Sequence, residues 1–276
     1  MAQLGKTNLL KISRKTDFGL YLTDKEGNEI LLPKRYVTHD MHINDEINVF
    51  VYKDSEDRIV ATTERPKAQV GEFALLRVVS VSKVGAFLDW GLQKDLLVPF
   101  REQKVTMEVG RSYIVYVFID YNSDRIVASA KIDKFLDNRP ASYNVGDSVE
   151  IIVARRTNIG YLVIIDNLYS GIIYHNEIFK DIKIGDRMEA FIKNIREDGK
   201  IDVTLADRID RRILELADKI LLYLMKHNRQ MPITDKTSPE IIKSTFECSK
   251  KDFKKAIGHL YKKKLILLND NSITML

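Results

Sequence analysis

One phrase recurs three times along this chain. Thr16-Asp17-Phe18-Gly19-Leu20-Tyr21-Leu22, Leu31-Leu32-Pro33 and Asp57-Arg58-Ile59-Val60-Ala61-Thr62 make the first statement of it. Val81-Ser82-Lys83-Val84-Gly85-Ala86-Phe87-Leu88-Asp89-Trp90, Leu96-Leu97-Val98-Pro99 and Arg125-Ile126-Val127-Ala128-Ser129 make the second. Thr157-Asn158-Ile159-Gly160-Tyr161-Leu162-Val163, Gly171-Ile172-Ile173-Tyr174 and Gly199-Lys200-Ile201-Asp202-Val203-Thr204 make the third. Gly19, Gly85 and Gly160 anchor the copies, 66 and 75 residues apart. A repeat of this period means that each copy is a structural unit of its own, which excludes one large core. Every run is short, rich in β-branched and aromatic residues, and closed by Gly, Asp, Asn or Pro, so the units are built of strands.

The first copy divides into strands at Leu9–Ser13, Gly19–Leu22, Glu29–Pro33, Ile47–Tyr52 and Arg58–Thr62. Glu26-Gly27-Asn28 turns the second into the third, and Asp54–Asp57 makes the last hairpin. The second copy opens with Val70-Gly71-Glu72 and has its fourth strand at Tyr113–Ile119. The third opens with Val145-Gly146-Asp147 and ends near Ala206. Polar, proline-bearing stretches, Glu64–Gln69 and Asp137–Ser142, read as linkers, with cleavable points near Ala68 and Ala141. Five short strands with a longer connection after the third predict a small Greek-key barrel. The five-stranded barrel of this size is the oligonucleotide/oligosaccharide-binding (OB) fold, which takes single strands across its second and third strands.

From Ile209 the apolar period changes from two to about 3.6. Ile213, Leu216, Ile220, Leu221, Leu224 and Met225 mark a first helix. Ser238 caps a second with Pro239 at its first position, and Ser249 caps a third that runs to about Lys263. Leu265–Leu268 and Ser272–Met275 flank Asn269-Asp270-Asn271 as a terminal hairpin. Three helices and a hairpin are the layout of a winged helix, a helix-turn-helix variant. The expected architecture is therefore multidomain and mainly β, with three tandem S1-like OB barrels at 1–66, 67–140 and 141–208. An α+β winged helix follows at 209–276.

Charge separates the tail from the barrels. Residues 209–276 hold 14 Lys and Arg against 8 Asp and Glu, whereas residues 1–208 hold 30 against 31. Cys248 is the only cysteine, so neither a disulfide within the chain nor a multi-cysteine metal site can form. The opening residues lack the apolar core of a signal peptide and no run approaches a membrane span, so a soluble cytoplasmic protein is expected.

Gly71-Glu72, Val84-Gly85-Ala86-Phe87-Leu88-Asp89 and Leu96-Leu97-Val98 resemble the S1-type RNA-binding branch of the OB fold, most fully in the second copy. The family's aromatic before the glycine is present as Phe18 but replaced by Val84 and Ile159. Its histidine after the third-strand aliphatics is replaced by Pro33, Pro99 and Tyr174. The whole chain resembles the conserved virulence factor B (YitL-like) family of bacteria. That resemblance is sharpest at Asp235-Lys236-Thr237-Ser238-Pro239 and from Ser249 to Lys262. It implies RNA binding, an influence on gene expression and no catalysis.

On the third tail helix, Phe253, Ala256, Ile257, Leu260 and Tyr261 gather on one face, with Lys251, Lys255, His259 and Lys262 opposite and Lys254 and Lys263 flanking. Such a stripe suits phosphates, although a solvated lysine face is the commoner fate of helix lysines. Gly258 lies on the same face, where it costs about 1 kcal/mol relative to alanine and would admit close approach of a partner. On the barrels, Phe18, Tyr21, Phe87, Tyr161 and Tyr174 are candidates for stacking on bases, each also able to fill a barrel interior. Trp90 is expected to pack. Arg58, Arg125 and Lys200 share the last hairpin position, where Arg125 is a candidate phosphate contact and a solvated turn charge is the plainer reading.

No chemistry of bond making is legible. His39 and His42 sit in a loop without partner ligands, His175 reads as a local hydrogen-bonding group, and Cys248 precedes a helix N-terminus that would lower its pKa. No phosphate loop or nucleophile elbow is present. The expectation is a non-enzyme without cofactor or metal whose partner is RNA, most naturally single-stranded. The alternatives are a DNA-binding transcription regulator acting through the winged helix and a scaffold on the ribosome or an RNA-processing complex.

Overall fold

The repeated glycines open the second strand of each unit, where no side chain fits. In the computed structural model, which describes residues 1–137, 142–178, 181–205 and 208–276, a Cβ on Gly19 would lie 2.0 Å from the Leu32 carbonyl oxygen. On Gly85 it would lie 2.2 Å from that of Val98, and on Gly160 1.9 Å from that of Ile173. The second strand thus crosses the third at backbone contact, and the glycine is a requirement of the barrel itself.

The first barrel comprises β1 (Thr7–Thr16), β2 (Gly19–Thr23), β3 (Glu29–Pro33), β4 (Glu46–Lys53) and β5 (Ile59–Thr62). It closes in the order β1-β2-β3-β5-β4, with β3 and β5 parallel through Leu31 and Val60. The second has β6 (Phe73–Val81), β7 (Gly85–Asp89), β8 (Leu96–Pro99), β9 (Ser112–Asp120) and β10 (Arg125–Ser129). The third has β11 (Ser148–Arg156), β12 (Gly160–Ile165), β13 (Tyr169–Tyr174), β14 (Arg187–Ile195) and β15 (Ile201–Thr204), and closes like the first. The second keeps the same order, but its β8 and β10 lie side by side without forming a ladder. Each first strand pairs with two neighbours and shifts register within its pairing to the second strand, at Ile12/Arg14, Val78/Ser80 and Val153/Arg155. Such a bulge bends a strand so that one sheet can curl shut.

The barrels are not beads on a string. Phe50 and Tyr52 of β4 and Val60 of β5 belong to one buried cluster with the core of the second barrel, and Trp90 meets Phe50 edge-on at 5.6 Å. Ala68, expected in an open linker, is buried in that cluster, and the Lys67 amide donates to the Trp90 carbonyl at 2.7 Å. The polar, proline-bearing stretch is therefore a packed strap; Ala141 lies outside the described residues. Between the second and third barrels, Phe73, Ile132 and Leu136 pack on Ile152, Ala154 and Ile164. The Phe73 amide donates to Asn167 Oδ1 at 3.1 Å.

The tail comprises α1 (Arg208–Lys226), β16 (Gln230–Met231), α2 (Pro239–Phe246), α3 (Lys250–Lys262), β17 (Ile266–Leu268) and β18 (Ile273–Met275), its sheet ordered β16-β18-β17. This is a winged helix. Strand β16 was not legible: two residues give no period to read. Ser238 and Ser249 stand at the N-caps of α2 and α3, as the sequence predicts.

Because Phe50 stands on a strand of the first barrel but packs in the core of the second, its loss should not stay local. Phe50→Ala should cost about 3–5 kcal/mol, the usual range for a buried phenylalanine. Amide hydrogen exchange should then quicken in β6–β10 as well as in β1–β5. Faster exchange confined to β1–β5 would mean that the barrels are independent.

Candidate nucleic-acid interface

The third tail helix is held rigidly enough to present a face. Ser249 Oγ accepts from the Asp252 amide at 3.1 Å and donates to Asp252 Oδ2 at 2.8 Å. The same carboxylate meets Arg212 of α1 at 2.7 Å. Phe253, Ala256, Ile257 and Leu260 are buried against Ile213, Leu216, Ile220 and Leu224. That packing turns Lys251, Lys255 and Lys262 outward, all exposed, and among the described residues none of the three ammonium groups has a hydrogen-bond or ion-pair partner. Three uncompensated cations on one helical stripe attract phosphate and would release counterions on binding it.

Three flanking residues depart from the expected arrangement. Tyr261, placed by periodicity on the packed face, is 53% exposed, because the face closes one position short of it. Lys254 points towards Asp235, at 3.7 Å. His259 leaves the lysine stripe: it is half-buried and lines a groove with Asp218 of α1, Lys263, and Asn176, Glu177 and Lys193 of the third barrel. Burial first, then Lys263, lowers its pKa from the ordinary 6.5, against the pull of Asp218. It is therefore a neutral imidazole at pH 7 and adds no charge to the stripe. Gly258 has nothing within 4 Å of its would-be Cβ and no positive φ, so the fold does not require it.

The barrel candidates fall into different surroundings. Phe18, at the β1–β2 turn, is 76% exposed. Tyr21 is half-buried, with the Arg14 guanidinium 3.7 Å above its ring and that guanidinium fixed on Glu29 by bonds of 2.9 and 2.7 Å. One face of the ring is thus already covered. Phe87 is half-buried beside the β8–β10 seam. Tyr161 is half-buried on β12 and packs against the core of the third barrel on the side of Val163 and Ile165, with the His175 ring edge-on at 5.9 Å. Tyr174 stands at the end of β13, its hydroxyl held by Arg196 and, at 3.4 Å, by Asp202. The groove that holds His259 begins at the turn directly after Tyr174 and His175, which links these rings to the C-terminal half of α3.

The hairpin cations are spent locally. Arg58 pairs with Asp54 at 2.7 Å and Lys200 with Asp198 at 2.6 Å. Arg125 reaches across to the first barrel, where Asp57 Oδ1 accepts from its Nε at 3.1 Å. As a phosphate contact Arg125 would have to leave that partner. Tyr121, in the last hairpin of the second barrel, was missed by sequence reasoning although it is 98% exposed. Its signal was an aromatic ring at a turn tip, and this hairpin belongs to the ligand-facing loops of the OB fold.

Cys248 departs from expectation as well: burial, then Asp252, raises its thiol pKa despite the helix that follows. His42 holds the Asp40 carbonyl at 3.0 Å from Nδ1, and among the described residues no group of three His, Cys, Asp or Glu could hold a metal. Among them, too, no helix is long and apolar enough to cross a membrane.

Fold and surface together define a class: tandem OB-type barrels joined to a winged helix, two modules that support a nucleic-acid-binding role. An S1 domain family model matches residues 4–64. That is the first copy, where the quoted S1 phrase is thinnest but the aromatic before the glycine, Phe18, is kept. A CvfB-like winged helix domain model matches residues 218–275. The uncharacterized protein YitL of Bacillus subtilis is 31% identical over 266 residues, spanning 94% of this chain and 89% of that protein. Conserved virulence factor B of Staphylococcus saprophyticus is 24% identical over 263 residues, 92% of this chain and 88% of that one. The chain belongs to this family of conserved virulence factor B and YitL proteins. A solved multidomain protein with nucleic acid binding domains from Streptococcus pneumoniae is 25% identical, covers 99% of this chain and 98% of its own, and has a TM-score of 0.41.

Since the fold leaves room at position 258, Gly258→Ala should raise stability by about 0.5–1 kcal/mol through helix propensity. If a partner backbone approaches α3 there, the same substitution should weaken nucleic-acid binding. Denaturant midpoints and binding isotherms on one preparation separate the two effects, and unchanged binding would mean that the glycine serves no close approach.

Proposed function

We propose that this chain is a non-catalytic RNA-binding protein that acts on bacterial gene expression after transcription. In this reading the OB barrels hold single-stranded RNA, and Lys251, Lys255 and Lys262 of the winged helix hold its phosphates. The observation that carries the reading is the stripe of three exposed lysines on α3, without a partner among the described residues, set in a chain whose barrels carry nearly equal numbers of both charges. Barrels with net charge near zero have no general attraction for a polyanion, so the tail supplies it. The exposed His175, with the half-buried Tyr174 beside it and the accessible edge of Tyr161, supplies ring surface close to the groove that leads to α3. Base stacking on an aromatic ring contributes about 1–3 kcal/mol per base.

The same lysine stripe on the third helix of a helix-turn-helix variant also suits the major groove of duplex DNA. A comparison of single-stranded RNA and double-stranded DNA of matched length, at two salt concentrations, decides between them. Tighter binding of the duplex overturns the RNA reading.

Two substitutions resolve the parts. Replacing Lys251, Lys255 and Lys262 together by alanine should weaken binding to all sequences and flatten the logarithmic salt dependence by roughly two units, since each single-strand phosphate contact contributes about 0.7. Tyr161→Ala should lower affinity about tenfold or more, with the salt slope unchanged, because lost stacking releases no counterions. Equal salt slopes for the triple variant and the parent would remove α3 from the site.

A further inference from the structure

The junctions along this chain are not alike. The first and second barrels share one buried apolar cluster, and the second and third share another through Phe73 and Ile164. The third barrel and the winged helix share none. Among the described residues, the cluster around Ile151 and Ile192 lies wholly in the barrel, and that around Ile220 and Phe253 wholly in the tail. Between the two lies a cleft of about 420 Å3, lined by both and entered by His259 of α3. Domains that meet without a large apolar interface move relative to each other unless polar contacts hold them.

Titratable groups reach this cleft from every element around it. The third barrel supplies Glu177, after β13, and Lys193 of β14. Helix α1 supplies Glu215 and Asp218, and the end of α3 supplies Lys262 and Lys263. Glu177 is already engaged: one of its oxygens accepts from Lys193 at 2.6 Å and the other from Thr204 at 3.0 Å. It is therefore not waiting for an imidazolium. His259 is half-buried here, and burial, then Lys263, favours its neutral ring against the pull of Asp218. A proton on that ring would place a poorly hydrated charge beside an ammonium, a cost that opening the cleft to water removes.

We propose that this cleft is a proton-sensitive latch: the winged helix stays docked on the third barrel while the His259 imidazole is neutral, and is released when the ring takes a proton. Histidine is suited to this because its ordinary value lies close to neutral pH. Docking holds the His259 pKa below 6.5, and exposure to water returns it towards that value. Docking is therefore at full strength above pH 6.5 and weakens as the pH falls through the lower, docked value. What moves with the latch is the lysine stripe of α3, whose distance from the third barrel is fixed only while the cleft is shut.

Double electron–electron resonance on the full chain measures the latch directly. Cys248 is the only native cysteine, so two spin labels are introduced in a Cys248→Ser background. One goes on Glu189→Cys of β14 and the other on Lys226→Cys at the end of α1, both exposed positions. Samples are frozen from pH about 7.5 and about 5.5, either side of the ordinary histidine value. The higher pH should give one narrow distance. The lower should add a broad population, growing by up to about tenfold per pH unit, the most that one linked proton allows. His259→Gln, which cannot take the proton, should stay narrow at both. His259→Arg, charged throughout, should be broad at both. A parent distribution that is the same at the two pH values, narrow or broad, overturns the latch. So does broadening in acid that survives His259→Gln, or a narrow distance in His259→Arg.

Discussion

The apolar contact of Phe50 with Trp90 determines what kind of object this protein is. A barrel of about sixty residues buries only about 60% of the surface that its unfolded chain exposes, and is marginal on its own. Here the first barrel contributes Phe50, Tyr52 and Val60 to the core of the second, and the second turns Phe73 outward into the third. Each unit thus borrows burial from its neighbour. The consequence for function is geometric: surfaces on successive barrels keep a fixed spacing, so a strand bound across them meets a preset path.

How much of this was legible follows from which physical signals are local. The repeated glycines were found by spacing, and the close approach to the third-strand carbonyls gives that spacing its cause. Alternation identified the strands, and the 3.6 period identified the tail helices. The fusion of the barrels left traces that were not used. Strand β11 runs Ile151-Ile152-Val153-Ala154, and β12 runs Val163-Ile164-Ile165, without the alternation of a strand that has one wet face. Continuous burial of that kind marks a strand covered on both sides, and the second cover is the neighbouring barrel. Ala68 misled because proline and charge in its vicinity resemble a linker, whereas the alanine itself sits under Trp90 and its neighbours.

The candidate site was read well where one helix carries it and poorly where partners come from elsewhere. The register of α3 alone places Lys251, Lys255 and Lys262 on one outward stripe. His259 differs because Asp218 of α1 and the third barrel reach its side of the helix, which no period within α3 can disclose. Similarly, Tyr21 looked like an open ring until the β1–β2 register set Arg14 opposite it. Arg125 looked like a loose turn charge until the barrel junction brought Asp57 beneath it.

Charge completes the division of labour. The barrels are rich in both signs, and their cations are largely matched: Arg14 with Glu29, Arg58 with Asp54, Lys67 with Asp89, Arg101 with Asp120, Lys193 with Glu177. Exposed pairs of this sort contribute about 0–1 kcal/mol each, too little to account for them as stabilising devices. Their larger effect is on the field. A cation with a carboxylate less than 3 Å away is nearly invisible beyond the screening length of about 8–10 Å, so the barrels present a polyanion with rings and shape rather than with charge. On α3 the matching is incomplete: Lys254 lies 3.7 Å from Asp235, but among the described residues Lys251, Lys255 and Lys262 have no carboxylate partner. A polyanion approaching this molecule is therefore drawn first to one helix. The neutral barrel surfaces come into play only at the short distances where contact, not charge, decides.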